Sequence, residues 1–367
     1  MGDNSKSSVG FSRLGLGTWQ FGGSQGGYWG VEFTQELANS IVQEAAQNGI
    51  KYFDTAEDYG NGNSERQLGI ALNSLPATAE FMVGSKILPN HCAQSEVRKY
   101  VQDSLARLKL DRIDLLMIHW PISKEGMAHF AGNHTTGTGE RDYSISDGDA
   151  VTNIPCTETA LKELAALQSE GKIKHIGVSN FGRSQLEQAL ATGIKIAVNQ
   201  LCYNFVFRPI EYEILPFCKE NGIEVIAYSP LMQGICLGKW NKAEDVPIYR
   251  ARTRHFNSNS AGSKARHGEE GHEELLFETI EKVKGIAKRY GYSMLELAIA
   301  FPLHKDGISC VIVGATKVSH VKSSVDASTK TLSTQAMLEI DQATEKLKAA
   351  MGKNCDLWQG GEDSRIR

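Results

Sequence analysis

Residues 51–70 read KYFDTAEDYGNGNSERQLGI. A short apolar run, Tyr52 and Phe53, ends in the carboxylate of Asp54, and a turn rich in glycine and asparagine follows before a helix-like stretch. Ser64 and Gln67 have capping-box spacing, which predicts that the helix starts there. Strand, polar strand end, loop and helix together make the repeating unit of a parallel sheet. How often the unit recurs decides the fold.

It recurs eight times. The apolar or β-branched runs are RLGLGTW (13–19), KYFDTA (51–56), FMVGSKI (81–87), IDLLMIHW (113–120), IKHIGVSN (173–180), IAVNQ (196–200), EVIAYSPL (224–231) and ISCVIVGA (308–315). Between them lie stretches with apolar residues every three or four positions, such as 34–49, 95–110 and 157–172. An open doubly wound dinucleotide-binding sheet is the alternative, but Gly15 and Gly17 are followed by Gln20 where its third fingerprint glycine belongs. The pattern predicts an α/β protein, a (β/α)8 barrel forming one domain over 1–367 with an N-terminal segment 1–12. Three polar stretches interrupt the rhythm: 121–156, 234–272 and the tail 352–367. They read as loops or mobile segments, and the first two, which follow strands, should wall the mouth of the barrel.

Composition narrows the function. The chain has 367 residues, 22% charged, with a formal charge of −4, so no basic field invites nucleic acid or anionic lipid. Seven scattered cysteines without C-x-x-C spacing argue against a disulfide framework or zinc ribbon and fit a reducing cytosol. The first residues lack the apolar core of a secretory signal, and Lys6 stands where a myristoylation signal wants Ser or Thr. No apolar run approaches the roughly 18 residues of a membrane span. A small-molecule enzyme of the cytoplasm, with no metal, nucleic acid or membrane partner, is the expectation.

A barrel displays its chemistry at the carboxyl ends of its strands, and here six consecutive strands end in polar groups. These are Asp54, then Lys86, His119, Ser179 with Asn180, Asn199 with Gln200, and Tyr228 with Ser229. Any one could be a capped strand end or a buried ion pair, but six in succession point to a site. Asp54, Tyr59, Lys86 and His119 can form a proton-transfer group. A phenol is a poor acid at neutral pH unless a cation such as Lys86 stabilises its phenolate; two pKa units correspond to about 2.7 kcal/mol. Asp54 would hold the lysine, and His119 could donate a hydrogen bond to a developing alkoxide. Reducing a carbonyl also needs a hydride that no side chain supplies, hence a nicotinamide. Ser179, Asn180 and Gln200 could meet its carboxamide and Tyr228 its ring.

These residues, together with the landmarks RLGLGTW, FDTAEDYGNGNSERQLG, VGSK, LLMIHWP, GKIKHIGVSNF, VNQ, AYSPL and VIVGAT, resemble the aldo-keto reductases over nearly the whole chain. The resemblance implies NADP(H), or less often NAD(H), with Tyr59 as acid/base beside Asp54, Lys86 and His119. It implies cofactor contacts at Gly17, Thr18, Trp19, Ser179, Asn180, Gln200 and Tyr228, and along the pyrophosphate at Ser229, Leu231, Gln233 and Gly234. It places the adenosine phosphate near Gly314, Thr316, Lys317 and His320, although Ser323 and Ser324 stand where many members carry other polar residues. Trp19, Trp29 or Tyr28, Trp120 and less directly Trp240 fall near the substrate mouth. The run Arg250, Arg252, Arg254 and His255 resembles a belt over the cofactor, or equally a solvated basic stretch. Potassium-channel β-subunits are similar too, with Trp at the Tyr228 position, so a cofactor-binding regulatory subunit is a second reading. A Schiff-base aldolase using Lys86 is a third.

Overall fold

The computed structural model describes residues 7–23, 32–131, 154–261 and 265–367. Eight parallel strands close on themselves in chain order: β1 (Leu14–Gly17), β2 (Tyr52–Asp54), β3 (Met82–Ile87), β4 (Ile113–Ile118), β5 (Ile173–Ser179), β6 (Val198–Cys202), β7 (Glu224–Tyr228) and β8 (Ile308–Gly314). Each lies within or beside one of the eight predicted runs. β1 pairs with both β2 and β8, so the sheet has no edge left to cover. Helices such as Gln35–Gln47, Gln94–Leu108 and Thr157–Ser169 follow the strands and bury their apolar stripes in a continuous core against the outside of the barrel. No helix among the described residues is long and apolar enough to cross a membrane.

The barrel interior is a second, smaller apolar cluster that includes Tyr52, Leu115, Met117, Val198, Ile226, Cys310 and Ile312. Val9 and Phe11 belong to it too, the Phe11 ring meeting Tyr52 edge-on at 4.7 Å. Tyr52 fits because Gly84, two residues along β3 from its register partner Met82, leaves room where an added Cβ would overlap the phenol oxygen. That space lets the Tyr52 hydroxyl rise to donate to Asp54 Oδ2 at 2.9 Å. Gly84→Ala is therefore expected to displace Tyr52, lower the denaturation midpoint and cost activity together, at about 1–3 kcal/mol of overpacking. Urea titration with turnover measured on the same preparation checks it; a variant of unchanged stability would refute this account of the interior.

The described parts of the interrupting stretches carry more regular structure than their composition predicts. After β4 a helix runs over Lys124–Ala131, and 132–153 lie outside the described residues. After β7 come 3-10 turns at Met232–Leu237 and Ala243–Asp245 and a short helix at Ser258–Ala261. The tail, read from its polarity as mobile, is fixed by a buried ion pair in which Arg365 Nε and Nη2 donate to Asp356 at 2.7 and 2.8 Å. Its polar residues satisfy one another, so polarity misleads about solvation there.

Candidate active site

The loop between β2 and the helix Asn63–Asn73 carries Tyr59, and its path is tightly determined. The helix opens from Gly62 in a left-handed conformation (φ 78°) and not from a capping box. Ser64 is instead buried, donating to Thr18 O at 2.7 Å and meeting the hydroxyls of Thr18 and Thr55 at 2.7 and 2.9 Å. Gly60 (φ 57°) runs backbone against backbone with Gly22, leaving no room for a Cβ on either residue. Glu57 accepts from Leu88 N at 2.6 Å and meets His91 Nδ1 at 2.9 Å, tying the loop to the end of β3.

Register brings the other groups together. Asp54 pairs with Gly84, so Lys86 emerges two residues further up β3. Lys86 Nζ donates to Asp54 Oδ1 at 2.6 Å, to Thr55 O at 2.8 Å and to Tyr59 OH at 3.3 Å. Those three acceptors match the three protons of an ammonium. The Lys86 and Asp54 side chains are 0% and 5% exposed, and Asp54 Oδ2 accepts further bonds from Tyr52 OH and, at 2.7 Å, from Gln200 Nε2. Burial and the Asp54 charge push the Tyr52 phenol well above its ordinary value, so it stays a donor. His119 begins the loop after β4; its ring meets Tyr59 edge-on at 5.7 Å, and its Nδ1 lies 3.2 Å from Asp58 Oδ1. A phenol between an ammonium and an imidazole is an arrangement that can give or take a proton.

Beside this cluster, Ser179 Oγ donates to Gln200 O at 3.0 Å, and Asn180, in a left-handed conformation (φ 61°), donates to His119 O and Ser179 Oγ, each at 3.1 Å. Tyr228 OH donates to Asn180 Oδ1 at 2.8 Å. After β7 a run of left-handed residues follows, Ser229 (φ 55°), Met232 (45°), Gln233 (55°) and Gly234 (100°). Such a run turns backbone N–H groups to one side, as anion-binding loops do. At the top of β8, Gly314 is exposed, Lys317 precedes the helix Val318–Ser328, and Thr316 Oγ1 lies 3.4 Å from His320 Nδ1. Burial first, then the charges of Lys317 and Lys239, disfavour the charged form of His320.

The model of the Aldo/keto reductase family matches residues 13–345. The chain belongs to that family. This aldo-keto reductase is 29% identical over 357 residues to the NADH-specific methylglyoxal reductase of Escherichia coli, covering 91% of this chain and 96% of the relative. It is 27% identical to a probable voltage-gated potassium channel subunit beta of Arabidopsis thaliana, covering 88% and 89%. A crystal structure of a thermostable aldo-keto reductase with the inhibitor epalrestat superposes with a TM-score of 0.65 at 25% identity, covering 92% and 97%.

The aromatic rim of this reductase differs from the sequence expectation. Trp19 is 38% exposed and 6.2 Å from the Tyr59 ring, whereas Trp120 is only 6% exposed. The Arg365 guanidinium lies 3.6 Å over the Trp120 ring and Trp358 meets its edge at 6.3 Å, so the tail covers it. Trp240 is half-buried beneath Arg250, and Trp29 and Tyr28 lie outside the described residues. Thr18 is fully buried, its hydroxyl engaged with Asp54 O at 2.9 Å and with Ser64.

Nor is the basic run after β7 a uniform belt. Arg250 Nη1 donates to Gln233 O at 2.7 Å, beside the left-handed loop, but Arg254 and His255 are buried. Arg254 pairs with Glu269 at 2.9 Å and donates to Met351, Asn354 and Asp356 carbonyls, locking this loop to the tail. Burial pushes the His255 imidazole down to about 4, so it folds neutral. Its contribution to stability is complete above the unfolded value of about 6.5 and is lost as pH falls through about 4. His255→Gln is expected to flatten the fall of unfolding free energy across that window, read by urea titrations at several pH values; an unchanged slope would contradict it.

A surface cavity of about 390 Å³ lies elsewhere, between the start of the helix Arg183–Ala191 and the tail. Its cations Arg183, Lys353 and Arg367 are each paired with a carboxylate, at 3.0, 2.6 and 3.0 Å. Asp58, Lys239 and the covering Arg365 were not legible as site residues; only the adjacency of Asp58 to Tyr59 offered a signal.

Proposed function

We propose that this aldo-keto reductase interconverts a carbonyl (aldehyde, ketone or sugar) and an alcohol with NADP(H), Tyr59 serving as general acid/base. The observation that carries this reading is the Lys86 ammonium held 2.6 Å from Asp54 and 3.3 Å from the Tyr59 hydroxyl. A cation fixed there favours the phenolate, so the phenol can release its proton to a carbonyl oxygen and recover it from an alcohol. Asp54 keeps Lys86 charged, while Tyr52 and Gln200 hold Asp54 in place. With all three of its protons engaged, Lys86 has no lone pair to form a Schiff base, which argues against an aldolase.

The residues fit a nicotinamide dinucleotide. Ser179, Asn180, Gln200 and Tyr228 would orient the carboxamide and ring, the left-handed run 229–234 would cradle the pyrophosphate, and Gly314, Thr316, Lys317 and His320 would face the adenosine end. Gly17, Thr18 and Trp19 border the same rim from β1. When bound, the nicotinamide supplies or accepts the hydride. Trp19 would border the carbonyl substrate, and Trp120, covered by Arg365, would stand behind that rim.

Lys317 and Lys239 favour the 2′-phosphate, even though one relative is named NADH-specific. Lys317→Ala, and separately Lys239→Ala, should weaken NADPH about tenfold or more and leave NADH nearly unchanged, the size of one charged hydrogen bond. Fluorescence titration with both cofactors decides; equal losses would show that these lysines do not read the phosphate. The function itself is tested by following NADPH oxidation and NADP+ reduction against aldehydes, ketones, aldoses and polyols. The likeness to the Arabidopsis channel subunit supports one competitor, a cofactor-binding regulatory subunit. Tight NADPH binding without turnover across the panel would favour it.

A further inference from the structure

Asp58 reaches the candidate catalytic cluster through His119. Its Oδ1 and His119 Nδ1 are 3.2 Å apart, with side chains 5% and 10% exposed, a charge contact whose angle falls short of a hydrogen bond. The charges facing His119 come from three positions: Asp58 on the loop after β2, Asp54 at the end of β2, and Lys86 on β3. The remaining faces of the ring meet aromatic groups, Tyr59 edge-on at 5.7 Å and Phe130 at 6.3 Å.

An imidazole has two nitrogens, and a carboxylate beside one of them fixes where a neutral ring carries its proton. With Nδ1 protonated toward Asp58, the neutral ring has a bare Nε2 that only accepts, while the charged ring has an Nε2–H that donates. A carbonyl oxygen gaining negative charge needs a donor, and an alcohol giving up its proton does not. We infer that Asp58 is a positioning residue whose charge keeps the last proton of His119 on Nδ1 and favours the imidazolium. The inference rests on the oxidoreductase reading above.

Two influences oppose the imidazolium: burial, which is the larger, and the nearby Lys86 ammonium. Asp58 is the strongest influence in its favour, ahead of Asp54. Taking Asp58 away therefore moves His119 titration to lower pH. The reductive reaction, which uses the charged ring, should then fail earlier as pH rises.

The test compares wild type, Asp58→Asn and Asp58→Glu. The first readout is the pH profile of kcat/KM in both directions with NADP(H) and the best carbonyl of the panel. For Asp58→Asn the alkaline limb of reduction should shift down by about 1–3 pH units, as expected for losing an opposite charge at this range. The dissociation constant for NADPH should stay unchanged, and Asp58→Glu should return the limb toward wild type. A uniform drop at all pH values, with the limb in place, would show a merely structural role and overturn the inference. The second readout needs no turnover: 15N shifts of ring-labelled histidine in the NADP+ complex, with the His119 signal assigned through His119→Asn. Wild type should show the Nδ1–H tautomer, and Asp58→Asn a lower titration midpoint. An Nε2–H tautomer in the wild type would overturn the inference even if Asp58→Asn does not fold. Absence of turnover in the wild type would instead count against the oxidoreductase reading, leaving the tautomer measurement to decide the role of Asp58.

Discussion

Tyr59→Phe is expected to reduce kcat for carbonyl reduction by about 10²–10⁴-fold, the usual weight of a positioned general acid. Only the hydroxyl is removed. The phenyl ring keeps its neighbours, Trp19 at 6.2 Å, His119 at 5.7 Å and Lys86 Nζ 4.9 Å above its face. Lys86 loses the longest of its three hydrogen bonds, 3.3 Å against 2.6 and 2.8 Å, so Asp54 and Thr55 still hold it. Folding stability should therefore change by no more than about 1 kcal/mol. The candidate cofactor residues lie at or beyond the ends of β1 and of β5 to β8, and the substitution removes only the hydroxyl, so NADPH affinity should be nearly unchanged. Steady-state kinetics, NADPH fluorescence titration and urea unfolding on one preparation separate these quantities. Turnover within a few-fold of wild type would remove Tyr59 from the mechanism.

The strands were legible because a closed parallel sheet buries both faces, which leaves short runs of Val, Ile and Leu in the sequence. Their polar ends stood out for the same reason: Asp54, Lys86 and Asn180 are conspicuous at the ends of largely apolar runs. What depends on partners distant in sequence was not legible. Ser64 and Gln67 have capping-box spacing, yet Ser64 is drawn inward by Thr18 and Thr55, and the Gln67 amide reaches Phe33 O at 3.4 Å. Arg254 read as part of a cofactor belt or a solvated run, and the tail that carries Arg365 as a polar loop or mobile segment, because their partners, Glu269 with the tail carbonyls and Asp356, are found only once the chain folds back. Trp120 read as a rim aromatic because nothing local announces that Arg365, 245 positions later in the sequence, will lie across it.

Lys86→Met carries the largest combined effect on activity and stability. Methionine fills similar space, but Asp54 is left as a buried carboxylate with only the neutral donors Tyr52 and Gln200. Removing one partner of a buried ion pair costs about 3–5 kcal/mol. The denaturation midpoint should fall markedly, and turnover should disappear because nothing then favours the Tyr59 phenolate. These two losses have different causes, and a second substitution separates them. Asp54→Asn combined with Lys86→Met removes both charges, so most of the lost stability should return, as it does when a buried pair is replaced whole. Turnover should stay lost, since the cation beside the phenol is still missing. Urea midpoints and kcat for the two single variants and the double variant complete the cycle. If the double variant recovers activity with its stability, Lys86 matters only through folding; if Lys86→Met alone keeps both, the buried pair has neither role.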